Sequence, residues 1–257
     1  MKRLSILLLL SALVFAQSCK SDKKVDEETK TAANDTLPVN SATKSQIAAL
    51  PGVESENTAG TPAPMPNDAL IFGMKDATIV WIGSKSTGST HTGTLKGKSG
   101  SVAYKDGTIV AGNIEIDMKS LSSTDLTGKD KAKLEGHLKS SEFFDIEKYP
   151  TAKFEIVKIS PLDANTERTA SMKSLVKLTN MMTGNLTTKG VTRSVTVPVN
   201  INLKATSVKI TSSMFGIDRS LWGVNYDIGT ISGAVKEAIV DDRISLQLNF
   251  EGVKAAK

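Results

Sequence analysis

The chain has 257 residues, 39% of them hydrophobic and 23% charged, which suits a globular protein of one large domain or two ordinary ones. Aromatic residues make up only 5%, and the formal net charge is +5. That charge falls to about +3 once Lys2 and Arg3 leave with a signal peptide, so neither a stacking platform nor a basic patch for nucleic acid is expected. Cys19 is the only cysteine, which excludes an intramolecular disulfide framework.

Met1-Lys2-Arg3 is a basic start, followed by an apolar run from Leu4 to Phe15. At roughly a dozen residues this run falls short of the ~20 that a membrane-spanning helix needs. Ala16-Gln17-Ser18 then places small residues before Cys19, the layout of an exported protein. The segment resembles a lipoprotein signal in which Cys19 receives the lipid, although Ala16 stands where Leu is commonest. An ordinary signal peptidase site would also cut after Ser18. A lipid-anchored, exported protein of the cell envelope, on the periplasmic or surface side of the outer membrane, is the expectation. Residues 1–18 are read as signal peptide and 19–74 as acylated Cys19 plus a flexible linker. Lys20–Lys30 mixes lysines with acids, and Thr61-Pro62-Ala63-Pro64-Met65-Pro66 breaks regular structure. A tail that binds a partner is the alternative for this segment.

Residues 75–257 alternate with period two, the mark of half-buried strands. Ile79 and Trp81 share one face. Ile114, Ile116 and Met118 alternate with Asn113, Glu115 and Asp117. Phe154 and Ile156 oppose Lys153 and Glu155. Val195, Val197, Val199, Ile201 and Leu203 form another stripe, and Ile244, Leu246, Leu248 and Phe250 the last. Asp106-Gly107 predicts a type I′ hairpin turn, and Lys189-Gly190 separates two further runs. Eight or nine antiparallel strands with one apolar face either form a sandwich or close into a barrel. Asp125–Lys139 is predicted to be helical, with Leu126, Ala132, Leu134 and Leu138 as its apolar positions. Ser140-Ser141-Glu142-Phe143-Phe144 supplies a cap and a short apolar turn.

The stretch from Gly136-His137-Leu138-Lys139-Ser140 through Phe143-Phe144-Asp145-Ile146-Glu147-Lys148-Tyr149-Pro150 to Phe154 resembles the central signature of the YceI-like family. Gly184-Asn185-Leu186-Thr187-Thr188-Lys189-Gly190-Val191-Thr192 resembles a second family segment, and Ile114–Asp117 and Phe215-Gly216-Ile217 follow in matching order. The resemblance spans about residues 75 to 253. It departs at the family's usual Asp-Pro-x-His-Ser opening, where Trp81-Ile82-Gly83 stands, with His91 further on. The resemblance implies an all-β fold: a closed, eight-stranded, antiparallel, lipocalin-like barrel with a short helical cap. It also implies an interior that binds a polyisoprenoid, a quinone-like lipid or a similar fatty amphiphile, without catalysis and without a cofactor.

Under that reading, the residues expected to line the ligand site are Trp81, Ile114, Ile116 and Met118 on the early strands, and Leu134, His137, Leu138, Phe143 and Phe144 on the cap. Phe154, Ile156, Leu186, Val197, Phe215, Ile217, Leu246 and Leu248 follow on the later strands. Arg219 shares parity with Phe215 and Ile217 and is a candidate for a phosphate or quinone head group, or else for a pair with Asp218 or Asp227. His137 either binds a head group at the mouth or ties the helix to the barrel. His91 and His137 are the only histidines, without the three-ligand spacing of a zinc site, so no metal is expected. Gly97-Lys98-Ser99 lacks both the glycine spacing and the following helix of a phosphate loop. Two other readings stay open: a barrel filled by its own side chains that serves as a structural or interaction module, and an enzyme of isoprenoid-lipid metabolism. A homodimer is also compatible with the sequence.

Overall fold

The computed structural model describes residues 58–163, 177–226 and 240–255. The signal peptide, Cys19 and Asp227 lie outside these residues. The strands are β1 (Leu70–Ser84), β2 (Thr90–Lys105), β3 (Thr108–Ser123), β4 (Thr151–Pro161), β5 (Asn180–Thr188), β6 (Val191–Leu203), β7 (Ser207–Ser212), β8 (Phe215–Asp218) and β9 (Arg243–Lys254). One helix, α1 (Gly128–Lys139), follows β3, and a 3-10 turn, Arg219–Trp222, follows β8. The helix begins later than the Asp125 read from the sequence.

From β1 to β7 each strand pairs antiparallel with the next, β7 and β8 both pair antiparallel with β9, and β9 pairs back onto β1 to close the barrel. Nine strands fill eight positions, because β7 and β8 lie end to end along β9. β7 pairs with Glu251–Val253 and neighbouring residues, β8 with Arg243–Leu246. At the break, Ser212 Oγ accepts from the Leu248 amide at 2.8 Å and takes the place of a ladder carbonyl. Among the described residues, the β1–β9 pairing joins the two ends of the strand order, which limits the edge left for another chain to extend.

The tight turns have the chemistry expected of them. Asp106 and Gly107 have φ of 49° and 86°, and Lys189 and Gly190 have 49° and 77°. Both central residues are thus left-handed, as a type I′ turn requires. Alternation is interrupted by bulges. In β1 the register with β9 shifts between Met74 and Asp76, so the inward side passes from Phe72 to Ala77, Ile79 and Trp81. In β3 the inward stripe moves from Ile109 and Ala111 to Ile114, Ile116 and Met118, and then to Leu121. The β6 stripe is buried at Val195, Val197 and Val199 and runs out of the barrel at Leu203, which is 36% exposed.

The linker reading needs correction at its C-terminal end. β1 starts at Leu70, inside the segment read as linker, and residues before it are bonded to the wall. The Gly60 amide donates to Asn185 Oδ1 at 2.9 Å, Asn185 Nδ2 donates to the Gly60 carbonyl at 2.6 Å, and the Ala63 amide donates to the Ile156 carbonyl at 3.1 Å. Asn185 faces outward yet is 3% exposed, because the Gly60 strap covers it. A buried amide needs partners, and a glycine at position 60 fits because a Cβ there would stand 2.9 Å from Val157.

Candidate functional site

The barrel interior differs between its two halves. In the half holding the β2–β3 turn it is solid: Phe72, Val102, Ile109, Ile156, Met182, Val197, Val199, Val208, Ile210 and Phe250 are each at most 4% exposed. In the half under α1 there is a cavity of about 620 Å³. Its wall comes from β1, β2, β3, β4, β5, β8 and β9, and its roof from α1 and the turn that follows.

The wall is apolar. Ile79 and Trp81, Leu95, Ile116, Met118 and Leu121, Ala152, Leu186, Ile217, Ile244 and Leu246 all line it. Trp81 lies flat on β2 because its register partner is Gly93, where a Cβ would stand 2.2 Å from the indole Cζ2. No side chain could occupy position 93 without moving that ring. Trp81 Nε1 has no hydrogen-bond partner among the described residues, whereas Trp222 Nε1 donates to the Leu186 carbonyl at 3.0 Å.

The roof is held lightly. No residue of α1 is fully buried, and Thr127 makes no side-chain cap to its first turn. Leu134 and Leu138 rest on the cavity, together with Phe143 and Phe144. The firmest polar tie is Glu135, whose Oε1 accepts from Ser122 Oγ at 3.0 Å and from the Ser123 amide at 2.8 Å. Burial pushes the Glu135 carboxyl up, but these bonds, with Lys139 and Lys131 nearby, bring it below its ordinary value of 4.5. His137 packs edge-on against Phe143 and Tyr226, with ring centroids at 5.5 and 4.3 Å. Its Nε2 lies 3.2 Å from Glu142 Oε2 without the geometry of a hydrogen bond. Its side chain therefore joins α1 through ring packing to the turn that follows it and to Tyr226 beyond the 3-10 turn.

Charged and polar groups collect at the rim: Lys85, Ser89, His91, Asp130 and Lys133. His91 Nδ1 lies 2.8 Å from Asp125 Oδ2, and Asp125 also accepts from the Thr92 amide and Ser123 Oγ. Burial raises the Asp125 carboxyl, but these three bonds outweigh it and leave the group below its ordinary 3.8. Among the described residues no group of three His, Cys, Asp or Glu side chains could hold a metal ion.

The structure brings Trp81, Ile116, Met118, Leu134, His137, Leu138, Phe143, Phe144, Leu186, Ile217 and Leu246 onto the cavity. It places the other expected lining residues elsewhere. Ile114, Phe154, Phe215 and Leu248 pack in or against the core beside the cavity without lining it, and Ile156 and Val197 sit in the packed half. Arg219 is no rim group: its side chain is fully buried, with Nε, Nη1 and Nη2 donating to the carbonyls of Asp241, Val224 and Val240 at 3.1, 2.8 and 3.1 Å. Asp218 instead caps the 3-10 turn by accepting from the Ser220 amide. Leu95 and Leu121 were missed because both lie where β2 and β3 slip in register. Tyr226 lies in a segment with no periodicity. Ile79 and Ile244 carried a readable signal, since both stand on stripes whose other members were chosen.

A family profile described as the YceI-like domain matches residues 74–252. Two UPF0312 proteins from Pseudomonas putida strains F1 and KT2440 are each 31% identical over 110 residues, 43% of this chain and 48% of the relative. The chain thus spans about half the length of the curated relatives it matches. The crystal structure of Burkholderia cenocepacia BcnA superposes with a TM-score of 0.50 at 20% identity, covering 68% of this chain and 95% of its own, which shows a shared fold. A polyisoprenoid binding domain from Saccharophagus degradans gives 0.49 at 16% identity, over 72% of this chain and 99% of its own. With the profile covering well over half of the 257 residues, the chain belongs to the YceI-like family.

Proposed function

We propose that the protein binds, and carries or sequesters, an isoprenoid or similar long-chain amphiphile in the cell envelope, held at the outer membrane by a lipid on Cys19. The observation that carries this reading is the cavity of about 620 Å³ with an apolar wall and a charged rim. Such a container suits a ligand with a hydrocarbon tail and a polar end. Each methylene taken from water contributes about 0.8 kcal/mol, so a tail that fills the wall outweighs the cost of association. The lightly held α1 roof offers a way in that leaves the strand ladders intact. Binding of this kind needs neither a metal nor a general base.

The solid half of the barrel favours the second reading, a structural or interaction module whose interior is mainly core. Mass spectrometry of lipids extracted from protein purified from its native membrane, without exposure to foreign lipid, decides between the two. Carriage predicts a stoichiometric amphiphile. Empty protein that also takes up no added prenyl or fatty amphiphile would leave the structural module standing.

A further inference from the structure

We infer that the cavity accepts only about four isoprene units of a ligand's tail, and that the Phe154 layer sets this limit. The inference rests on the carrier reading above and specifies the ligand that reading allows. At the ~30 Å³ that a water-sized atom occupies in a liquid, a volume of about 620 Å³ holds on the order of twenty heavy atoms. The barrel is longer than the cavity, and what stops the cavity is a layer of side chains. Along β3, Ile116 lines the wall and Ile114 does not. Along β8 and β9, Ile217 and Leu246 line it while Phe215 and Leu248 do not. Phe154 completes this layer between its register partners Ile114 and Leu186.

The position of the Phe154 ring is built into the neighbouring strand. Gly184 lies beneath it, where a Cβ would stand 2.2 Å from Phe154 Cζ. The missing side chain lets the ring reach across β5 and fill the space below Leu186. Beneath it, Ile156, Met182, Val195 and Val197 are at most 4% exposed and belong to the hydrophobic core. The polar groups of the site stand at the opposite end, on the rim. A ligand therefore enters tail first, with its polar end beside Lys85 and Lys133. Any chain beyond about four units stays outside the barrel and gains nothing from the wall.

The test is competitive retention of prenyl alcohols with two, three, four, five, six and eight isoprene units on delipidated full-length protein, read by mass spectrometry. Retention is expected to rise at least about tenfold per added unit up to four and then to level off. Phe154→Ala removes six ring carbons, about one isoprene unit, and is expected to move the plateau to about five units, with little change for the two-unit alcohol. Should Phe154→Ala fail to fold, Phe154→Leu removes less volume and is expected to shift the plateau in the same direction. Retention that keeps rising to eight units in the parent protein would overturn the limit and leave the carrier reading intact. A folded Phe154 variant with an unmoved plateau would remove Phe154 from its role. Retention of no alcohol at all would overturn the carrier reading and the limit with it.

Discussion

Replacing Arg219 with methionine separates a structural arginine from one that binds a ligand. The change keeps most of the side-chain length and removes every donor. Three carbonyls, of Asp241, Val224 and Val240, then lose the guanidinium that holds them at 2.8–3.1 Å. The stacking of Arg219 over Phe143, at 5.4 Å, is lost as well. A buried acceptor left without a partner costs about 1–3 kcal/mol, and three such losses overlap because they share one group, so the expected destabilisation is about 3–5 kcal/mol. For a domain of this size each kcal/mol lowers the thermal midpoint by roughly 2–4 °C, giving a drop of about 6–20 °C. The assay is thermal unfolding of delipidated protein followed by circular dichroism, with lipid retention measured on the same samples below the transition. The structural role predicts a large drop in midpoint, with retention preserved while the barrel is folded. A midpoint within about 3 °C of the parent, together with lost retention, would refute it and return Arg219 to the head-group role.

Ile116→Phe and Val197→Phe are matched insertions into the hollow and the solid half. Val197→Phe should cost roughly 1–3 kcal/mol of unfolding free energy by overpacking, whereas Ile116→Phe should cost less and lower the amount of co-purified lipid; equal costs in denaturant titrations would contradict the division of the interior. Glu135 has a folded-state pKa below 4.5, so its tie to β3 contributes above that pH and is lost as pH falls through the lowered folded value. The midpoint difference between the parent and Glu135→Gln should therefore be fully present at neutral pH and narrow progressively as the pH falls below 4.5; a difference that does not narrow with falling pH would rule this linkage out. Cys19→Ala should move the protein from the membrane fraction to the soluble fraction with an unchanged midpoint, and equal membrane retention would defeat the proposed anchor.

The sequence shows which side of a strand faces inward, and much less about how far along the barrel a residue lies. Ile114 and Ile116 have the same alternation, yet one is core and the other cavity wall. Height depends on strand tilt and on bulges, and the bulges at Met74–Asp76 and between β2 and β3 leave no short-range signature. The hairpins were legible because Asp-Gly and Lys-Gly can adopt positive φ locally. Arg219 was misread because parity indicates direction but not partners, and its carbonyl partners at Val240 and Asp241 lie about twenty residues downstream. Gly60 was read as tether because its bonds to Asn185 join residues far apart in sequence.

The division of the barrel into a solid and a hollow half also divides its local stability. Amide protons deep in the packed half, such as those of Val197, Val199 and Ile210, can exchange with solvent only through near-global opening. Those of α1, which buries no residue completely, need only the release of Glu135, Leu134 and Leu138. The cap is thus expected to open as a separate cooperative unit of lower stability than the packed half. Its opening frequency, measurable by native-state hydrogen exchange, would set an upper limit on how fast the proposed ligand enters or leaves beneath the cap.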